Sequence, residues 1–186
     1  MKNTLNKTAI ALAIVLGSVT ASLRHSAYAD DFAGGPGGSS FGTLNCPRGK
    51  IVVGLAGRSG SVIDTMQLFC SEPTGGPEAV TLEPGRVGPS NGGGPISAQC
   101  PVLDVAFGID VNVATIDGNV VVSQIILHCR SPIDGSGDRT VVFGGGGGDG
   151  AGGFTCPEHT FMVGFVGRAG DFIDALGITC RGPHQL

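Results

Sequence analysis

The chain has no tryptophan, one tyrosine and little charge: only 14% of its 186 residues are Asp, Glu, Lys or Arg. Acids outnumber bases by 15 to 11, and no basic patch is visible. That excludes a nucleic-acid surface and disfavours anionic membranes. No Cys-x-x-Cys and no His-x-x-x-His spacing occurs, so no metal site is expected. No serine or cysteine is evidently paired with His128, His159 or His184. No acid/base pattern singles out a carboxylate pair for glycoside hydrolysis, so an enzyme is not expected. Nothing reads as a long amphipathic helix. The longest apolar run, Thr8 to Val19, is too short to span a bilayer.

That run has a different reading. Lys2 and Lys7 precede it, and Ala27-Tyr28-Ala29 follows as a small-x-small cleavage site. Residues 1–29 are therefore expected to be a secretory signal peptide, with Val19-Thr20-Ala21 as a second cleavage site. Residues 30–186 are expected to form one secreted, extracellular domain. Setting the leader aside removes Lys2, Lys7 and Arg24 and no acid, which takes the formal charge from −4 to −7.

What the chain has in abundance is glycine, 34 residues of it, and six cysteines that all lie past residue 29. Runs such as Lys50 to Gly57, Val102 to Val113 and Asn119 to Cys129 are β-branched and apolar. The class is all-β with glycine-rich turns. An even cysteine count behind a signal peptide reads as disulfides.

The cysteines mark three repeats. Cys-Pro recurs at Cys46, Cys100 and Cys156, spacings of 54 and 56 residues, and Cys70, Cys129 and Cys180 close the segments. The first and third align without a gap over 25 positions with ten identities, among them Gly57/Gly167, Arg58/Arg168, Gly60/Gly170, Ile63/Ile173 and Asp64/Asp174. Each segment reads as a hairpin centred on Arg58 or Arg168, with its cysteines facing each other at the open end. This predicts Cys46–Cys70, Cys100–Cys129 and Cys156–Cys180. A glycine-rich segment precedes each hairpin: Gly34 to Phe41, Asn91 to Ile96 and Gly144 to Phe154. With strands between them, each repeat has about four strands. Repeats of about 41–90, 91–143 and 144–186 predict a disulfide-stapled β-prism of three four-stranded Greek-key sheets with pseudo-threefold symmetry. The run Gly144 to Gly150 also matches the opening of a calcium-binding nonapeptide, but as one unit without tandem copies.

Gly164 to Ile178 resembles the closing hairpin of jacalin-related lectins, in which a Gly-Arg-Ser/Ala-Gly turn runs into Leu/Ile-Asp-x-Ile/Leu-Gly. Gly34 to Phe41 resembles their Gly-Gly loop. More loosely, the repeats and the Cys-Pro-Arg-Gly start at Cys46 resemble the vitelline membrane outer layer protein family. The cysteine frame departs from plant jacalin-type lectins.

The first resemblance implies carbohydrate binding, of mannose/glucose type, by Gly-x-x-x-Asp loops facing glycine loops. Here these would be Gly170, Asp171, Phe172 and Asp174 facing Gly34, Gly35, Gly37 and Gly38. The second pair would be Gly60, Ser61, Val62 and Asp64 facing Gly92, Gly93 and Gly94. An ionised carboxylate accepts two sugar hydroxyl protons in charge-assisted bonds. Glycine lets the main chain approach closely. No metal or cofactor is required. Partners would be glycans or glycoproteins, with a homo-oligomer raising avidity. In the middle repeat, counting back from Cys129 puts Ser123 at the aspartate position and Asn119 at the glycine position. Two sites are therefore expected. The blander reading has Asp64 and Asp174 capping their own turns, Arg58 and Arg168 as solvated turn residues or partners of a nearby carboxylate, and Phe172 as packing. The second resemblance implies a structural or protein-interaction prism, such as a component of a secreted complex or toxin.

Overall fold

The computed structural model describes residues 32–186, so the expected leader lies outside the described residues. The chain enters through β1 (Ala33–Gly34) and β2 (Ser39–Asn45). It then forms β3 (Ile51–Ser59), β4 (Ile63–Ser71), β5 (Thr81–Val87) and β6 (Gly94–Gln99). Next come β7 (Val105–Ile116), β8 (Asn119–Arg130), β9 (Arg139–Phe143) and β10 (Asp149–Thr155). It closes with β11 (Phe161–Ala169) and β12 (Ile173–Arg181). The strands make three antiparallel four-stranded sheets. Sheet I runs β5-β4-β3-β6, sheet II β10-β7-β8-β9, and sheet III β1-β12-β11-β2. Each of the first two is a Greek key, a hairpin with its third strand beside the second and a returning strand beside the first. The architecture is the expected β-prism.

Alternation explains the core. On β4, Met66, Leu68 and Cys70 are fully buried while Gln67 and Phe69 are only partly so. The inner faces of all three sheets meet in one cluster that includes Phe143, Phe165, Leu55, Ile125 and Leu127. Period-two patterning with one large-apolar face is what a one-sided sheet requires.

The sheets are offset from the sequence repeats. Each glycine loop leads into a strand that returns to the preceding hairpin: β6 pairs β3 and β10 pairs β7. The N-terminal strands β1 and β2 complete the sheet of the last hairpin, closing the prism with the two ends of the chain.

This offset corrects the account of the cystines. Cys46–Cys70, Cys100–Cys129 and Cys156–Cys180 are bonded, but the cysteines do not face each other across the open ends of hairpins. The β3–β4 turn is at residues 60–62, with Ser59 paired to Ile63, so Arg58 lies just short of the tip. The first cysteine of each pair continues the outer strand of the sheet before. Cys46 N–H donates to Val163 O on β11, Cys100 N–H to Val53 O on β3, and Cys156 N–H to Phe107 O on β7. The second cysteine lies on the next sheet, on β4, β8 or β12. The three bridges thus join sheet III to I, I to II and II to III in a closed ring.

Candidate functional site

The same β-bulge appears near the tip of each hairpin. In β3–β4, Arg58 pairs with Thr65 and Ser59 with Ile63, leaving Asp64 without a partner residue. In β11–β12, Arg168 pairs with Ala175 and Ala169 with Ile173, leaving Asp174. In β7–β8, Asn112 pairs with Gln124 and Val113 with Val122, leaving Ser123. A bulge bends its strand and re-aims a side chain, which is why an aspartate recurs at a fixed distance from the turn.

A glycine loop closes over each bulged residue, and its anchor recurs at the Cys-Pro spacing. Gly34, Gly88 and Gly144 all have positive φ, at 135°, 85° and 102°. A Cβ there would stand 2.2 Å from Asp174 O, 2.0 Å from Asp64 O and 2.6 Å from Ser123 O. Four residues on, Gly38, Gly92 and Gly148 again have positive φ and meet the bulged side chain itself. Only glycine fits such an approach. Gly38→Ala is expected to cost about 1–3 kcal/mol by thermal melting. Its Cβ would lie 2.4 Å from both Asp174 Oδ2 and the Ala169 carbonyl carbon.

The loops expected to face one another do so. A Cβ on Gly170 would reach within 3.3 Å of Gly38 Cα, and one on Gly60 within 3.7 Å of Gly93 Cα. Gly37 lies over Asp174 Oδ1 and Gly92 over Asp64 Oδ1. Gly35 N–H donates to Asp174 O at 2.9 Å, although its Cα is turned towards Val120 of the middle hairpin. Gly94 is already in β6, paired with Ser59 and clear of the aspartate. Gly60, Ser61, Gly170 and Asp171 are exposed, Phe172 is half-buried at the rim, and Val62 is buried.

The arginines are half-buried and bond main-chain carbonyls rather than a carboxylate. Arg168 donates from Nε to Gly37 O at 2.8 Å and from Nη2 to Gly38 O at 2.7 Å. Arg58 donates from Nε and Nη2 to Gly92 O, at 3.2 and 2.9 Å, and from Nη2 to Gly93 O at 2.5 Å. Each guanidinium fork pins a glycine loop by its carbonyls. A trans peptide points its N–H opposite its C=O, so pinning Gly92 O turns the Gly93 N–H away from Arg58. That amide donates to Asp64 Oδ2 at 3.1 Å.

The two aspartates differ. Both are only 6% exposed, but Asp174 Oδ2 is buried without a hydrogen-bond partner among the described residues. Burial pushes the Asp174 carboxyl above the usual carboxylate range. The Gly170 amide and the Arg168 charge pull the other way, and Asp171 adds to the rise.

The middle repeat departs as expected at the aspartate but not at the glycine. Ser123 is fully buried and donates to Gly147 O. Asn112 stands where the arginines do and bonds Gln124 instead. Asn119 is not at the turn-glycine position. The hairpin extends beyond the bulge to an Asp117-Gly118 turn, both residues at positive φ, and Asn119 pairs with Ile116 beside it. Sequence reasoning missed Gly88 and the pinning role of the arginines. The 54-residue spacing from Gly34 was a usable signal for the first.

No family model matches the chain, and neither does any curated protein. The fold is shared with solved jacalin-related lectins. Malaysian banana lectin matches with TM-score 0.60 at 20% identity, over 82% of this chain and 96% of that one. Calystegia sepium agglutinin matches with TM-score 0.56 at 17% identity, over 82% and 97%. Artocarpin, solved as a mannotriose complex, matches with TM-score 0.56 at 19% identity, over 82% and 95%.

Proposed function

We propose that this protein is a secreted, non-enzymatic lectin that binds mannose- or glucose-type pyranoses at two edges of the prism. These are Gly170–Asp174 with Gly37 and Gly38, and Gly60–Asp64 with Gly92 and Gly93. One observation carries the reading. An aspartate aimed by a bulge under an arginine-pinned glycine loop is built twice, and both charged groups are missing from the third edge, whose longer hairpin keeps the bulge and the glycine loop. A purely structural turn would need no such pair, since Ser123 holds its loop without either. The complexes of artocarpin with mannotriose and of Calsepa lectin with a biantennary N-glycan lend support by likeness of fold.

The carboxylate accepts sugar hydroxyl protons, and the exposed Gly60–Ser61 and Gly170–Asp171 turns offer main-chain polar groups beside it. Affinity per edge is expected near millimolar, roughly −4 kcal/mol, raised by two edges or by a homo-oligomer.

The burial of both aspartates favours one competing reading, in which they only close their own loops in a structural or protein-docking prism. A glycan array with mannose titration decides between them. Asp64→Ala and Asp174→Ala are each expected to remove one of two sites, and the double variant to bind at least about tenfold more weakly. Unchanged binding in the double variant would refute the sites. A wild-type protein that binds no glycan but retains a protein partner would favour the structural prism.

A further inference from the structure

The two edges are not flanked alike. Beside the Gly60–Asp64 edge, the outer face of sheet I holds an open trough of about 500 Å³. Arg58, Arg86, Gln67, Ser90 and Ser97 line it, and no Asp or Glu does. Arg58 both lines this trough and pins Gly92 and Gly93, so the trough is continuous with the glycine loop. Its guanidinium meets only carbonyls. Neither arginine forms an ion pair among the described residues. In a chain of net charge −4, two such cations over one concave face are a local exception.

The pseudo-threefold axis supplies the control. Arg86 lies opposite Gln67. Its counterparts 54 residues before and 56 after are Phe32 and Val142, exposed at 40% and 49%. Val142 faces Ile126, and Gly177 replaces Gln67 in sheet III. In sheet III the Phe41 ring also lies against Gly167. At the Arg86 position the three equivalent surfaces therefore carry one cation and two apolar side chains; sheet III keeps a cation only at Arg168, and sheet II has the uncharged Asn112–Gln124 pair and Asp110 instead. The backbone does not impose the difference.

We propose that this trough is an anion subsite for an acidic glycan. A neutral pyranose occupies the Gly60–Asp64 edge, and the adjoining residue presents a carboxylate or sulfate to Arg86 and Arg58. The Arg86 fork matches either anion in a bidentate, charge-assisted contact, while Arg58, whose Nε and Nη2 hold the loop carbonyls, adds its charge and its Nη1. Gln67 and the two serines serve the neighbouring hydroxyls. This assignment rests on the lectin reading of that edge.

The test compares matched neutral, carboxylated and sulfated oligosaccharides on the wild-type protein, Arg86→Ala and Asp64→Ala. Arg48→Ala, at the far end of the prism, serves as a charge control. Wild type is expected to favour acidic over neutral forms about tenfold at low salt, with the preference fading as salt rises. Arg86→Ala should remove that ratio, Arg48→Ala should keep it, and Asp64→Ala should lose both ligand types at this edge. The stronger of the carboxylated and sulfated arms identifies the anion. Neutral glycans bound with no acidic preference, or a preference that survives Arg86→Ala, overturns the subsite alone. No glycan bound in any arm overturns the lectin reading and the subsite with it.

Discussion

Reduced and alkylated under denaturing conditions, the protein is expected not to refold at room temperature. Each bridge closes a loop with a sequence separation of 24 or 29 residues, which a chain-entropy estimate values at about 3.5 kcal/mol. The three loops do not overlap in sequence, so their entropic terms add to roughly 10 kcal/mol. That matches the whole stability of an ordinary domain, about 5–15 kcal/mol. The ring arrangement sharpens the consequence. Every sheet-to-sheet junction carries one cystine, so cutting a single bridge opens the ring and leaves two of the three sheets each tied to only one neighbour. A Cys46→Ser/Cys70→Ser double variant should lose about 3.5 kcal/mol, a drop of about 7–14 °C in Tm for a domain of this size. Urea unfolding of the oxidised, singly cut and fully reduced proteins checks this. A reduced chain that melts cooperatively within a few degrees of the oxidised one would show that packing alone holds the prism.

The cystine pairing was legible in the sequence, but its geometry was not. Midpoint symmetry on Arg58 and Arg168 pairs the right cysteines and places them wrongly, because it ignores the strand that each Cys-Pro terminates. That strand belongs to the preceding sheet through non-local hydrogen bonds such as Cys46 N–H to Val163 O, and no local pattern announces a partner 117 positions away. Fold class was legible because alternation, glycine loops and threefold spacing all report burial and turn geometry directly. The facing of Gly38 with Gly170 came through the family resemblance. Gly88 was hidden because it precedes Pro89, Ser90 and Asn91 rather than another glycine. The arginines were misjudged for a physical reason. A hairpin-tip arginine in isolation is solvated, and only the folded loop offers it two carbonyls.

Asp174→Asn is expected to make the protein no less stable at neutral pH while weakening sugar binding at the first edge by at least about tenfold. Asp174 is held in a place that disfavours its charge: Oδ2 is buried and unpartnered, and burial raises the carboxyl above its ordinary value. A carboxyl whose folded pKa exceeds its unfolded pKa binds its proton more tightly in the native state. Its contribution is therefore fully present below the unfolded value, near 4, and is lost as pH rises through the folded one. Asparagine does not titrate. The stability difference between variant and wild type should consequently shift in the variant's favour as pH climbs out of the acid range and through the raised folded value. Glycan binding should move the other way, since hydroxyl donors prefer the ionised carboxylate and lose it on acidification. An aspartate that merely closed its own turn would give the opposite result, a variant about 1 kcal/mol less stable with glycan binding intact. Thermal melts from pH 3 to 8 with and without mannose separate the two, because only a ligand-holding carboxylate trades stability for affinity.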